Sequence, residues 1–324
     1  MMKRRLYILL LPLLAFASAV SCSKQEMDTA SSIGFGVDTD GNIPTKVTDT
    51  SFEGPDIINV LGFLVEDAEP GNDEGRVNYG MPYIGAYSSS TVRPLSFSYS
   101  DVTATGYEGG KVYASGYYWP KFDNCEYEAL HFHAYYAYNT TSDGITTGPV
   151  IQYRSDAAPV FEYNMDIKGQ AAKEDFLVAS QTASENDVEL KFRHTLAKVV
   201  LEVKLYDWIG AYDMKWMFDD FVVGATWDCT HSAWIDSDKT ISPFSVTSTA
   251  NVVSFYAIPQ TVEEFAVVWN YHKEKITLPT SLTLAAGFAN KITLSISRDK
   301  VIGVVIEPGK LQQWDTVENT NNLN

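Results

Sequence analysis

The stretch Val188-Glu189-Leu190-Lys191-Phe192-Arg193-His194-Thr195-Leu196-Ala197-Lys198-Val199-Val200-Leu201-Glu202-Val203-Lys204 decides the fold. Val188, Leu190 and Phe192 alternate with Glu189, Lys191 and Arg193, a period of two that suits a strand and not a helix. From Ala197 the apolar residues move to the odd positions Val199, Leu201, Val203 and Leu205. A strand whose core-facing parity changes needs a bulge or a switch of sheet, and His194-Thr195 is the place for it. The stretch is too long for one ordinary strand and reads as the opening of a second β-domain.

The same alternation recurs on both sides. Ile33-Gly34-Phe35-Gly36-Val37 is a short strand with Ile33, Phe35 and Val37 on one face. Ile57 to Val65 is apolar on both parities, as in a strand buried on both faces. Leu130, Phe132, Ala134, Tyr136 and Tyr138 form one face of a further strand, with His131, His133 and Tyr135 on the other. Phe255 to Gln260, then Phe265, Val267, Trp269 and Tyr271, and finally Ile292, Leu294 and Ile296, continue the pattern. No helix longer than about two turns is supported, so many short strands with turns between them predict an all-β chain of sandwiches. A length of 324 residues suits two domains. The 19 Tyr and 16 Phe favour pleated surfaces over helices.

With 41 acidic and 24 basic residues the formal charge is −17, which repels nucleic acid and anionic lipid and excludes both as expected partners. Lys3, Arg4 and Arg5 precede the apolar run Leu6 to Val20, which ends in Ala19-Val20-Ser21-Cys22. A charged n-region, a short apolar core and small residues describe a secretory signal too short to span a bilayer. The cysteine after the small residues resembles a bacterial lipobox, with cleavage between Ser21 and Cys22 and acylation of Cys22. Losing residues 1–21 takes the charge from −17 to −20, since it removes three basic and no acidic side chains. Cys125 and Cys229 then remain as thiols, and the sequence leaves their pairing open.

The expected layout is a signal peptide at 1–21 and a lipid tether at 22–32. An N-terminal β-sandwich at 33–184 and a C-terminal one at 185–300 follow, with a final strand and tail at 301–324. Catalytic and metal signals are weak. There is no nucleophile elbow, phosphate loop or paired-carboxylate motif, so no enzyme and no cofactor is expected. Asp38 to Asn42 begins like a calcium loop but has its glycine out of place. His131 and His133 share a strand face without a third metal ligand, and read as polar residues on a solvated face. His194 reads as satisfying backbone at the bulge.

VELKFRHTLAKVVLEV resembles the F-x-H-x-L-a-k-V strand of the fimbrillin-like lipoproteins of Bacteroidales-type bacteria. Tyr117-Tyr118-Trp119-Pro120 followed by Leu130 to Tyr136 resembles that family's W-P and F-x-A-Y pieces. Glu174 to Ser180, Tyr256 to Thr261 and Leu282 to Ile296 resemble three more, in the family's order. The resemblance implies two tandem transthyretin-like β-sandwich domains. It also implies a surface fimbrial (pilus) subunit or adhesin on the outer membrane, palmitate-anchored and partnered by other fimbrial subunits, with a host or bacterial surface ligand as a further candidate partner. In such relatives a cut after a basic residue in the N-terminal loop releases the first strand, and the C-terminal strand of another subunit fills the groove. Lys46 stands where that cut falls, although the family often has Arg there. Ile302-Gly303-Val304-Val305-Ile306 repeats the spacing of Ile33 to Val37. Ile302, Val304 and Ile306 are therefore the candidate donor strand for the groove vacated by Ile33, Phe35 and Val37. The alternative is that both are permanent strands of their own domains. The other functional reading is a monomeric surface lipoprotein binding glycan or another ligand through Tyr117, Tyr118 and Trp119 or the Tyr206 to Trp216 group.

Overall fold

The computed structural model describes residues 31–38, 57–66, 75–88, 91–98, 111–120, 127–137, 140–142, 145–152, 154, 157–165, 175–185, 187–206, 213–298, 300–307 and 309. In chain order the first strands are β1 (Ser32–Asp38), β2 (Ile57–Glu66), β3 (Arg76–Val77), β4 (Ala86–Ser88), β5 (Thr91–Arg93), β6 (Leu95–Ser98), β7 (Lys111–Tyr118) and β8 (Tyr127–Ala137). Next come β9 (Thr140–Ser142), β10 (Ile145–Gln152), β11 (Val160–Asn164), β12 (Phe176–Ala183), β13 (Val188–Lys191) and β14 (Arg193–His194). The last are β15 (Ala197–Leu205), β16 (Met214–Asp228), β17 (Ala233–Ser248), β18 (Val252–Ala257), β19 (Gln260–Trp269), β20 (His272–Leu284), β21 (Ala289–Ser297) and β22 (Lys300–Glu307). Among the described residues every regular element is a strand, as the alternation predicts.

Two layered cores account for most of the burial. In the first, a three-stranded sheet ordered β13-β1-β7 faces a larger one ordered β14-β12-β8-β2-β3, which β6 joins through β2. Ile33, Phe35, Val60, Phe132, Leu177 and Leu190 fill the space between them. In the second, β18-β15-β21-β22 faces the sheet β20-β19-β16-β11-β10-β9, with β17 on the other flank of β16. Val199, Leu201, Trp216, Phe244, Val267 and Leu294 lie inside. A small sheet of β4 and β5 completes the strand set.

The parity slip is a change of sheet. β13 runs parallel to β1, β14 pairs antiparallel with β12, and β15 lies between β18 and β21 in the second core. Thr195, fully buried at the crossing, donates from its amide and its hydroxyl to Phe176 O at 3.0 and 2.7 Å. Trp234 Nε1 donates to Thr195 O at 2.8 Å, and Gly287 N to Leu196 O at 2.9 Å. These bonds satisfy backbone groups that leave one ladder before joining another, the usual requirement for buried chain. Val188 to Lys191 thus completes the first core, and the chain enters the second at Leu196.

Two further features depart from expectation. β9, β10 and β11, within the stretch assigned to the first domain, join the second core's sheet because β11 pairs with the C-terminal half of β16. β12 is buried on both faces, with Leu177 and Ala179 in the first core and Phe176 and Val178 in the second. The same holds for part of β8. The face expected to be solvated carries His133 at 5% exposure and Tyr135 at 8%, because Phe63, Tyr79 and the second core cover it.

Candidate functional site

β1 is the middle strand of a three-stranded sheet, and among the described strands neither flanking strand has another partner in that sheet. Phe35 pairs with Val188 on the parallel side and Val112 on the antiparallel side, and Gly36 with Glu189 and Lys111. Ile33 and Phe35 are fully buried. The Phe35 ring stacks on Phe97 at 6.0 Å and meets Phe132 edge-on at 5.5 Å. Val37 packs half-buried against the same core. Burial of Ile33 and Phe35 contributes about 3–6 kcal/mol before entropy losses. Removing this strand leaves a slot with ladder groups on both walls and an apolar floor, the geometry that strand-addition sites use.

Above the floor, the outward residues of β1 are Gly34 and Gly36, both buried. Asp187 precedes Val188 on one wall and Lys111 opens β7 on the other, and Lys111 Nζ donates to Asp187 Oδ2 across them. This contact raises the Lys111 pKa above the ordinary lysine value. Neither Lys111 nor Asp187 stands out in the sequence. The glycine pair of β1 was the only available signal for a covering element.

β22 is an edge strand that pairs with β21 alone among the described residues. Val304 and Ile306 pack half-buried against the second core, while Ile302 is 48% and Val305 54% exposed. Ile302, Val304 and Ile306 were expected on one face. A bulge sets Ser295 opposite Gly303 but Ile296 opposite Val301, which puts Ile302 out of phase with the other two.

Ser21, Cys22, Lys46, residues 39–42 of the calcium-loop-like stretch, Cys125 and Trp208 lie outside the described residues. Cys229 is a free, buried cysteine, and burial pushes its thiol pKa up. His131 and His133 both contact Ser180 Oγ, at 3.0 and 3.4 Å, and His133 Nε2 lies 3.3 Å from Tyr79 OH. No group of three or more metal-ligating side chains occurs among the described residues. Burial, then the neighbouring His131, holds the His133 pKa down to about 3. His194 hydrogen-bonds Asp175 through Nδ1, and Asp175 Oδ1 accepts from Phe176 N at 2.7 Å. His194 is thus a joint between β12 and the crossing segment. Of the aromatics considered for sugar stacking, Trp119 and Trp216 are 7% and 1% exposed and belong to the cores, while Tyr206 is 65% exposed.

The sequence profile of the fimbrillin-like family matches residues 45–310. The chain belongs to that family. Two solved structures share the fold of this fimbrillin-like chain. One is a candidate cell adhesion protein from Bacteroides ovatus, 16% identical, with a TM-score of 0.54 over 89% of this chain and 99% of that one. The other is a candidate cell adhesion protein from Bacteroides uniformis, 16% identical, with a TM-score of 0.52 over 88% of this chain and 99% of that one. No curated protein matches the fimbrillin-like chain significantly.

Proposed function

We propose that this chain is a surface fimbrial subunit or adhesin that assembles by exchange of strands between molecules. The observation that carries the reading is the position of β1, a central strand held by main-chain bonds on both edges and by few side chains. Such a strand is replaceable, because ladder bonds are blind to sequence and alternate apolar residues supply the fit. Lys46 lies between β1 and β2, so a cut there separates β1 from the body of the chain. The C-terminal Ile302 to Ile306 of a second copy is then the donor. Membership of the fimbrillin-like family and the cell-adhesion names of its structural neighbours support a role in attachment rather than catalysis.

Treating the purified precursor with a lysine-specific protease should generate heat-resistant polymer ladders on denaturing gels. Lys46→Gln should suppress them, and so should deletion of residues 302–324. Ladders that survive that deletion overturn the reading. In the same reading Cys22 carries the acyl anchor of an outer-membrane lipoprotein, and Cys22→Ser should lose incorporation of labelled palmitate. Undiminished labelling of that variant would remove the anchor from the proposal.

A further inference from the structure

We propose that Lys111 and Asp187 form a clasp over the β1 slot that favours a strand with glycine beneath it, and that Gly303 fits a second copy of this chain to that clasp. The inference rests on the strand-exchange reading and names what sets its specificity.

The clasp crosses the slot diagonally. Gly36 pairs with Lys111, while Phe35 pairs with Val188, so Asp187 stands beside Gly34. A Cβ on Gly34 would meet Asp187 Oδ1 closer than real Cβ atoms come to any neighbour. It would also lie 3.0 Å from the Tyr113 ring and 3.2 Å from Asp187 Cγ. Gly34 does not have positive φ, so what disfavours a side chain there is the space taken by the Asp187 and Tyr113 side chains and not the dihedral angle. A side chain there must push Asp187 away and break its bond to Lys111. Gly36 is less constrained, since its Cβ would find Lys111 Cγ and Val188 O each at 4.0 Å.

Gly303 has the opposite character. Its own strand makes no demand for glycine: φ is not positive, and a Cβ would meet Ser295 Cβ at 3.5 Å and Oγ at 3.6 Å, ordinary contacts. Glycine inside a strand weakens it through chain entropy and lost side-chain packing. Laid along β1 in the same direction, Ile302 to Ile306 puts Gly303 at the place of Gly34, where a side chain would have to displace Asp187 from Lys111. Val305 then falls at the roomier place of Gly36. The residue that lacks a local reason in β22 acquires one in the slot.

The test is the rate of ladder formation by the full chain after cleavage. Gly303→Val should melt at or slightly above the temperature of the parent, because valine suits an edge strand, yet form ladders at least about tenfold more slowly. Adding Asp187→Ala to Gly303→Val should restore most of the rate. If Gly303→Val polymerises at the parental rate while deletion of residues 302–324 abolishes ladders, strand exchange stands and the clasp is overturned. If ladders survive the deletion, strand exchange itself fails and takes this donor with it. The steric rule is also read in the uncleaved monomer. Gly34→Ala should lower the melting temperature by several degrees, and Asp187→Ala should relieve part of that loss. Additive effects of the two changes would overturn the clasp without reference to any polymer.

Discussion

Tyr271 sits in the two-residue turn between β19 and β20 with φ of 69°, after Asn270 with φ of 42°. Both dihedrals belong to a type I′ turn, in which the second residue is preferably glycine. A tyrosine there bears a steric penalty of about 1 kcal/mol and, being fully exposed, has no burial to offset it. Tyr271→Gly should therefore raise the melting temperature by about 2–4 °C in a calorimetric scan. His133 gives a pH signature. Its folded pKa of about 3 lies below the unfolded value near 6.5, so the unfolded chain binds more protons throughout that interval. Stability from this group is fully present above pH 6.5 and is lost progressively as the pH falls towards 3. His133→Gln, which does not titrate, should show a flatter dependence of melting temperature on pH between 7 and 4.

At the level of elements, β1 should be held by its centre. Phe35→Ala should cost about 3–5 kcal/mol in chemical denaturation, and Val37→Ala, at the half-buried end, about 1 kcal/mol. Equal costs would mean that the strand is anchored along its whole length. This scale is also where the sequence was most informative. The phase change between Phe192 and Ala197 announced the sheet switch because core-facing parity is a local property. The partnership of β11 with β16 was hidden, since Phe161 and Tyr163 show an inward face without naming the sheet they join. The bulge at Ile302 was hidden too, for its cause lies across the ladder in Ser295 and Ile296. His133 looked solvated because the rings that cover it, Phe63 and Tyr79, are distant in sequence. The inward face of β1 was thus legible in Ile33, Phe35 and Val37, but the Lys111–Asp187 contact beside it was not, because those two residues meet only after folding.

On the scale of the whole molecule, β22 closes one margin of the second core without sealing it, since its apolar residues are at most half-buried. Deleting residues 300–324 should leave a cooperative unfolding transition, lowered by less than about 10 °C. Loss of cooperativity would show that the margin is structural. The neighbours of β1 have a different consequence. They lie at 111–118 and 188–191, so the opening segment of the fold has nowhere to settle until both have been made. Loop closure over such spans is slow compared with local pairing. During synthesis the earliest apolar strand must wait in water while the later ones build its berth, and it arrives after the walls are standing. If strands are exchanged as proposed, a berth completed before its occupant could also receive a stranger, and the order of manufacture would itself leave an opening for one molecule to join another.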